Sequence, residues 1–397
     1  ALCQVTGKTL PWGDLTGIRP TKIPMKLLEE GWKNTQIAQY MRETYGVSNE
    51  KTALAITIAN REKALLQDLD YENGYSLYVG IPFCPSICLY CSFGSHPLER
   101  WTKRVDEYLD ALCKELTFIR EEMGERKLTT VYIGGGTPTT LEPEQLRRLL
   151  SHIQTTFDFT WVKEYTVEAG RPDSITREKL QVMKEFPVTR ISVNPQTMNQ
   201  KTLDVIGRKH TVEDTVNIFH MARELGFDNI NMDLIIGLPG EGKEEVAHTL
   251  QKVENLHPDS LTIHSLALKR ATRLNLFKDK YEEMSFENSQ EIMEMTQQCA
   301  RNMGMGPYYL YRQKNIAGNF ENVGYAEVDK AGIYNILIME EKQTILAAGA
   351  GASTKFVFEH GTRIERVENV KDVNNYILRI DEMLERKRVG IEKYLNG

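Results

Sequence analysis

The sequence has no apolar run near the ~18 residues that a membrane span needs, and its longest candidates, such as Leu234–Leu238, are strand-sized. It has no excess of positive charge either. Lys+Arg 49 against Asp+Glu 55 leave a net charge of −6, so the basic field that draws a protein onto a phosphate backbone is missing, and nucleic acid is not an expected partner. The first residues, ALCQVTGKTLPWGD, contain no basic segment followed by an apolar one, so no secretory signal is visible. The start at Ala rather than Met points to a fragment or a processed form, with part of an N-terminal region missing. There is no low-complexity tract and no short-period repeat. Cysteine is scarce, six in 397 residues, and too unevenly placed for a disulfide framework. What is present is the ordinary mixture of a globular protein, 41% hydrophobic and 26% charged, able to bury a sizeable core. At roughly 150 residues per domain, the length suits two or three domains or one large α/β unit with appendages.

The pattern along the chain is a strand–helix alternation. Leu77–Pro82, Thr130–Gly134, Glu164–Glu168, Thr189–Val193, Asn229–Ile236 and Ser260–Leu266 are short, β-branched and bounded by Gly, Pro or Asp. Between them lie helical patterns at Leu98–Glu122, Pro143–Thr155, Thr176–Phe186, Thr211–Leu225 and Lys243–Asn255. Apolar strands in β/α repeats imply a parallel sheet covered by helices, and six of them suit a partial or complete β/α barrel better than a doubly wound sheet. The expected division is a helical segment over 1–74, an α/β core over 75–268, and an α+β region over 269–397. The first contains helices at Pro24–Gly31, Thr35–Tyr45 and Glu50–Asp70. The last contains helices at Ser285–Asn302 and Val370–Asn396 and strand-like stretches at Gly332–Ile338 and Lys355–Glu359.

Three of the cysteines, Cys84, Cys88 and Cys91, fall within eight residues just past the first strand, as C-x₃-C-x₂-C. Cys3, Cys113 and Cys299 are scattered and read as buried or inert thiols. Soft sulfur ligands select zinc, Cu(I) or an iron–sulfur cluster. Zinc would need His96 as its fourth ligand, whereas three cysteines without a fourth suit a [4Fe–4S] cluster with one iron left open. Gly134-Gly135-Gly136-Thr137-Pro138 closes the second strand, either as a close approach of backbone to ligand or as a tight turn. The Gly237–Lys243 stretch imitates a P-loop, but Glu244 stands where a hydroxyl would be needed, and a strand–helix turn is the expected role. Glu168, Gln196, Arg208 and Asp233 sit at or just beyond strand ends, where β/α folds place ligands. Acids plus an arginine suit a zwitterion carrying a ribose.

The cysteine triplet followed by GGGTP resembles the radical S-adenosylmethionine (SAM) enzymes. Tyr78–Cys84 (YVGIPFC), Arg190–Gln196 (RISVNPQ) and Asn231–Gly240 (NMDLIIGLPG) resemble the oxygen-independent coproporphyrinogen III oxidase group. Tyr308–Asn315 with Asn319–Tyr325 is similar to its HemZ-type, coproporphyrinogen dehydrogenase-like branch. The resemblance implies a partial (β/α)₆ barrel, a cluster on Cys84, Cys88 and Cys91, and SAM on the open iron. By motif position, Gly135, Gly136 and Thr137 would meet the methionine amino end with Glu168 close by. Arg208 would face the carboxylate, and Gln196 and Asp233 the ribose. Tyr78 and Phe93 would lie near the adenine or the cluster. It further implies a low-potential electron donor such as flavodoxin or ferredoxin, and a cytoplasmic, oxygen-poor setting. In the oxidase reaction, a 5′-deoxyadenosyl radical takes hydrogen from a porphyrinogen propionate, which loses CO₂ to leave a vinyl group on the ring. The C-terminal region would cover the barrel mouth, with Lys269, Arg270, Arg273, Arg312 and Lys314 as partners for propionates. Two residues depart from the oxidase pattern: Phe93 replaces a cysteine and Gly80 replaces a histidine. The related haem chaperones share the Phe, so a haem-binding or trafficking protein is the rival expectation. A radical SAM methyltransferase or haem-opening enzyme using a second SAM comes next, and RNA modification last.

Overall fold

The computed structural model describes residues 10–92, 95–267, 272–276, 286–314, 316, 318 and 320–396. It opens with three helices, α1 (Lys22–Glu29), α2 (Asn34–Tyr45) and α3 (Asn49–Leu66). Gly46, at φ +64°, ends α2, and the Ser48 hydroxyl accepts from Lys51 N to start α3.

Six parallel strands follow: β1 (Gly74–Ile81), β2 (Lys127–Gly135), β3 (Glu164–Gly170), β4 (Arg190–Val193), β5 (Ile230–Ile236) and β6 (Ser260–Ser265). Helices α4 (Val105–Met123), α5 (Pro143–Thr156), α6 (Arg177–Lys184), α7 (Gln200–Val205), α8 (Val212–Glu224) and α9 (Lys243–Leu256) alternate with them. Leu77, Val79, Val131, Ile133, Val167, Ile191 and Leu234 are all fully buried. These residues form the outward face of the sheet, which the helices cover, while the alternate positions, among them Tyr132, Glu168 and Asp233, turn toward the cavity on the other face. Helix α4 starts later than the sequence pattern suggests, because Leu98–Arg104 forms two short 3₁₀ turns. The Gly237–Lys243 stretch is a strand–helix turn, with Gly237 and Gly240 at positive φ and Glu241 accepting from Thr197 and Asn199.

The remaining elements are α10 (Gln290–Asn302), β7 (Gly306–Tyr311), β8 (Asn322–Ala326), α11 (Ile333–Glu340), β9 (Thr344–Ala348), β10 (Ser353–Phe358), β11 (Arg363–Glu368), α12 (Val373–Leu378) and α13 (Ile380–Asn396). Two expectations need correcting. Gly332–Ile338 is not a strand but the start of α11, since a run apolar on every side has no period to separate helix from strand. The strand is the next stretch, Thr344–Ala348. The predicted Val370–Asn396 helix is broken at Arg379, whose φ of −116° separates α12 from α13.

These strands extend one eleven-stranded sheet at both edges, in the order β11-β10-β9-β1-β2-β3-β4-β5-β6-β8-β7. β9 runs parallel to β1, with Tyr75 opposite Thr344, while β8, β7, β10 and β11 are antiparallel to their neighbours. The edge strand β11 carries Arg363, Glu365, Arg366 and Glu368, charges that discourage pairing with another chain.

Buried polar contacts tie the outlying segments to this sheet. Trp12 Nε1 donates to Glu321 at 2.8 Å, and Lys51 pairs with the same carboxylate at 2.7 Å. Arg61 donates to the carbonyls of Gly306, Pro307, Ala326 and Glu327, closing the ends of β7 and β8. Deep under β9, Lys387 of α13 meets Glu115 of α4 at 3.2 Å, with both side chains fully buried. Glu115 also accepts from Gly349 N at 2.9 Å, Asn369 Nδ2 at 2.8 Å and Tyr376 Oη at 2.6 Å. No helix among the described residues is long and apolar enough to cross a membrane.

Candidate functional site

Past Ile81, Pro82 ends the pairing of β1. Phe83–Cys84 then pairs with His96–Pro97, so the intervening cysteine loop is closed at its base. Cys84 and Cys88 are buried and Cys91 is half-buried. Arg171, just past β3 and 3% exposed, holds the loop from below. Its Nη1 donates to Ser86 O at 2.9 Å, Ser86 Oγ at 2.8 Å and Cys88 Sγ at 3.7 Å, while Asp173 braces the rest of the guanidinium. Leu89 N donates to Ile206 O at 3.0 Å, and Leu274 N to Leu89 O at 3.0 Å. Burial pushes the Cys84 thiol up, and the Thr137 hydroxyl that donates to it at 3.6 Å pulls it back. His96 turns its ring edge-on to Trp101, centroids 5.5 Å apart, and is not among the residues lining the cavity beside the cysteines.

The glycine run at the end of β2 lies directly against this loop. Gly136 N donates to Ile81 O and Thr137 N to Phe83 O, both at 2.7 Å. A Cβ on Gly136 would stand 2.4 Å from Phe83 O and 2.9 Å from Ile81 O, backbone atoms that cannot yield. Gly135 has φ +107°. The run is a tight turn, and Gly135 and Gly136 line the cavity. Gly136→Ala is expected to cost about 1–3 kcal/mol or more by overpacking and to push Phe83 and Cys84 outward. Thermal melting of the metal-free protein and iron bound after reconstitution should both fall.

Across the cavity stand Glu168 of β3 and Asp233 of β5. Tyr132 Oη donates to Glu168, and Tyr132 is stacked on Tyr334 of α11 at 4.4 Å and on Tyr78 of β1 at 6.2 Å. Burial raises Glu168 to about 7, helped by Asp233 and opposed by the Tyr132 hydroxyl, Arg190 and Gly135 N–H. Burial also acts to raise Asp233, but His264, Asn231 and Thr262 outweigh it and hold the carboxyl below its ordinary value. His264 Nε2 lies 3.9 Å from Asp233 Oδ2, and its Nδ1 lies 3.4 Å from Tyr311 Oη. A carboxyl with its folded pKa raised binds protons more tightly than in the unfolded chain, so its contribution to stability falls as pH rises from 4.5 to about 7. Glu168→Gln is thus expected to stabilise the metal-free protein at pH 8, by on the order of 3 kcal/mol at most, and little at pH 5. Urea midpoints of both proteins at the two pH values test this.

Between the acids and the loop lie Gln196 and Arg208. Gln196 takes φ +68°, a strained conformation for a side chain of its size, and its buried Oε1 has no partner. Arg208, 5% exposed, donates to Asn194 O and, at 3.2 Å, to Tyr90 Oη, and its Nε is unpartnered. Buried polar atoms left unsatisfied are costly, and at the wall of a cavity a polar ligand can supply the partner.

One cavity of about 670 Å³ joins these groups. It brings together Cys84, Cys88, Cys91, Tyr78, Gly135, Gly136, Thr137, Glu168, Gln196, Arg208 and Asp233. Phe93 lies outside the described residues, as do Lys269 and Arg270. Three further basic residues expected near the substrate do not line the cavity: Arg273 donates to Ile87 O, Arg312 to Leu15 O, and Lys314 is exposed. Sequence reasoning missed Arg171, Tyr90, Tyr132 and His264, which carry no motif beyond their place at or near strand ends. It also missed the wall formed by α11 and by the turn from β9 to β10, because α11 was read as a strand.

The donor set suits the cofactors that the sequence motifs imply. Among the described residues no three His, Cys, Asp or Glu side chains converge on the point where a single ion would sit. Three thiols around a shared cavity, with no fourth protein ligand beside them, suit a multi-iron cluster with one open iron. The unpartnered Gln196 Oε1 and Arg208 Nε, with the backbone cradle at Gly135–Gly136, suit a polar ligand beside it.

Comparison with known proteins agrees. Residues 78–253 match the radical SAM superfamily. The chain is 44% identical over 392 residues, 98% of its length and 78% of the relative's, to the oxygen-independent coproporphyrinogen-III oxidase-like protein HemZ of Bacillus subtilis. It is 38% identical to the heme chaperone HemW of the same organism, over 50% of this chain and 52% of that one. The solved structure of coproporphyrinogen III oxidase (HemN) from Escherichia coli superposes with a TM-score of 0.63 at 25% identity, covering 81% of this chain and 73% of that one.

Proposed function

Because the chain belongs to the radical SAM superfamily, within the group of oxygen-independent coproporphyrinogen III oxidase-like proteins, we propose that it oxidatively decarboxylates coproporphyrinogen III to protoporphyrinogen IX. Its cofactors are a [4Fe–4S] cluster and SAM, which together, when bound, supply a 5′-deoxyadenosyl radical able to take hydrogen from carbon. The observation that carries the reading is the single cavity in which three thiols, a set of polar groups suited to SAM, and a C-terminal wall meet.

Each residue then has a task. Cys84, Cys88 and Cys91 hold the cluster, and Arg171 keeps their loop in place. Arg208, whose Nε is unpartnered among the described residues, would hold the carboxylate of SAM through a charge-assisted bond. Glu168 and the backbone at Gly135–Thr137 take the amino end, and Gln196 and Asp233 take the ribose hydroxyls. Tyr78, Tyr132 and Tyr334 form a stacked aromatic wall between this region and α11. The wall from α11 and the β9–β10 turn positions the porphyrinogen and keeps solvent out, which is where most of the protein's contribution to such chemistry lies.

A second reading is supported by Phe93, shared with the haem chaperones, and by the 38% identity to one of them. On that reading the chain binds haem and leaves coproporphyrinogen untouched. Anaerobic reconstitution followed by reductant, SAM and coproporphyrinogen III separates the two. The oxidase yields 5′-deoxyadenosine and protoporphyrinogen together. Deoxyadenosine without a change in the porphyrinogen overturns the proposal while leaving SAM cleavage standing, and stoichiometric haem binding without turnover puts the chaperone in its place.

A further inference from the structure

The charges around the cavity are unevenly distributed. Its two carboxylates, Glu168 and Asp233, stand on β3 and β5; of its two arginines, Arg171 is committed to the cysteine loop, and Arg208 to Asn194 O, Tyr90 Oη and, on the proposed reading, SAM. On the opposite wall, built by α11 and by the turn from β9 to β10, the charged groups are Lys355 and Lys371. Ile338, Met339 and Ile345 supply an apolar surface beside them.

Neither ammonium is well compensated. Lys355, 8% exposed, reaches Ile338 O at 3.3 Å and Glu341 Oε1 at 3.5 Å. Glu341 is already ion-paired at 2.6 Å with both Arg19 and Lys22, and Arg366 approaches it at 3.5 Å. Burial, Arg19 and Arg366 push Lys355 down to about 8, against the pull of Glu341. Lys371 is exposed at the cavity rim beside Gly351 and forms no ion pair with a described residue. A buried cation whose counter-ion is shared with three other cations gains when an anion arrives. An apolar surface edged by this buried cation and by the exposed Lys371 fits a ligand with an apolar body and carboxylate arms.

We propose that Lys355 and Lys371 form a carboxylate subsite on the C-terminal wall, gripping arms of the substrate that do not react while another arm reaches toward the thiols. The subsite rests on the tetrapyrrole reading and deepens it, and stands in place of Arg273, Arg312 and Lys314, which do not line the cavity. Holding the inert arms fixes which arm approaches the cluster, and so sets which carbon is attacked.

The test uses the anaerobically reconstituted full chain and two probes, coproporphyrin III and its tetramethyl ester, read by porphyrin fluorescence. The wild type should favour the acid over the ester. Lys355→Gln and Lys371→Gln should each weaken acid binding about tenfold, roughly the loss of one good charged contact, leaving ester binding and bound iron unchanged. Acid binding by the wild type should also weaken as pH rises through about 8, where Lys355 loses its charge, and this step should vanish in Lys355→Gln. Lys371 is exposed, so its variant folds even if the buried one does not. Variants that bind the acid as tightly as the wild type overturn the subsite alone. A wild type that binds neither porphyrin overturns the tetrapyrrole reading, and the subsite with it.

Discussion

Cys88→Ala should leave the anaerobically reconstituted protein with little bound iron and with SAM cleavage reduced to background, while Cys113→Ala and Cys299→Ala keep both. The difference lies in surroundings rather than residue type. Cys88 lines the shared cavity and lies within reach of Arg171. Cys299 is buried in the packing of α10 against α9, where its thiol is pushed up to about 12 and donates to Leu250 O at 3.6 Å. Such a thiol is inert, and its replacement removes a small apolar volume only. With three cysteines around the cavity and no fourth protein ligand beside them among the described residues, loss of one leaves a pair, too few to retain a four-iron cluster. Iron analysis alone tests the assignment, independently of turnover. If Cys88→Ala keeps its iron and its SAM cleavage, the centre lies elsewhere.

The largest loss of stability is expected from Glu115→Ala. Removing one partner of a buried ion pair typically costs about 3–5 kcal/mol, because the other charge stays behind unpaired. Here the stranded ammonium of Lys387 would keep only Ala347 O at 2.9 Å and Thr354 Oγ1 at 3.1 Å. Gly349 N, Asn369 Nδ2 and Tyr376 Oη would lose their acceptor as well. Lys387→Ala is expected to cost less, since those three donors still solvate the carboxylate. The double variant Glu115→Leu/Lys387→Met should recover part of the loss, because it removes both charges yet leaves the three donors unsatisfied. Urea unfolding of the four proteins orders them. Equal loss from both single variants would show that the pair, and not the donor set around Glu115, carries the stability. The same network fixes Gly349, which leads into the turn lining the cavity, so Glu115→Ala should also loosen porphyrin binding.

The six core strands were legible because helices bury their outward face, leaving short, β-branched stretches punctuated by Gly and Pro. The cysteine loop and the glycine run were legible because each uses residues that nothing else at those spacings can replace. Legibility failed where position is set by distant packing. Arg171 resembles any surface arginine until Ser86 and Cys88 are seen above it. Tyr334 lies in a run whose apolar residues face both the sheet and α3, so no period distinguished helix from strand. Lys355 and Lys371 acquire meaning only when β9 and β10 are placed beside β1, a pairing that local sequence does not encode.

That pairing bears on how the protein is made. Tyr75 of β1 finds its partner Thr344 only after about 270 further residues have been added, a closure whose entropic cost must be met before the contact rewards it. During synthesis at 5–20 residues per second, one side of β1 therefore waits tens of seconds as an open edge. The cysteine loop that follows β1 waits with it, lacking the wall that later shields it. Translation thus leaves a long interval, until α11, β9 and β10 have emerged, in which the cysteine loop is unshielded and one edge of β1 is open to pairing with other chains.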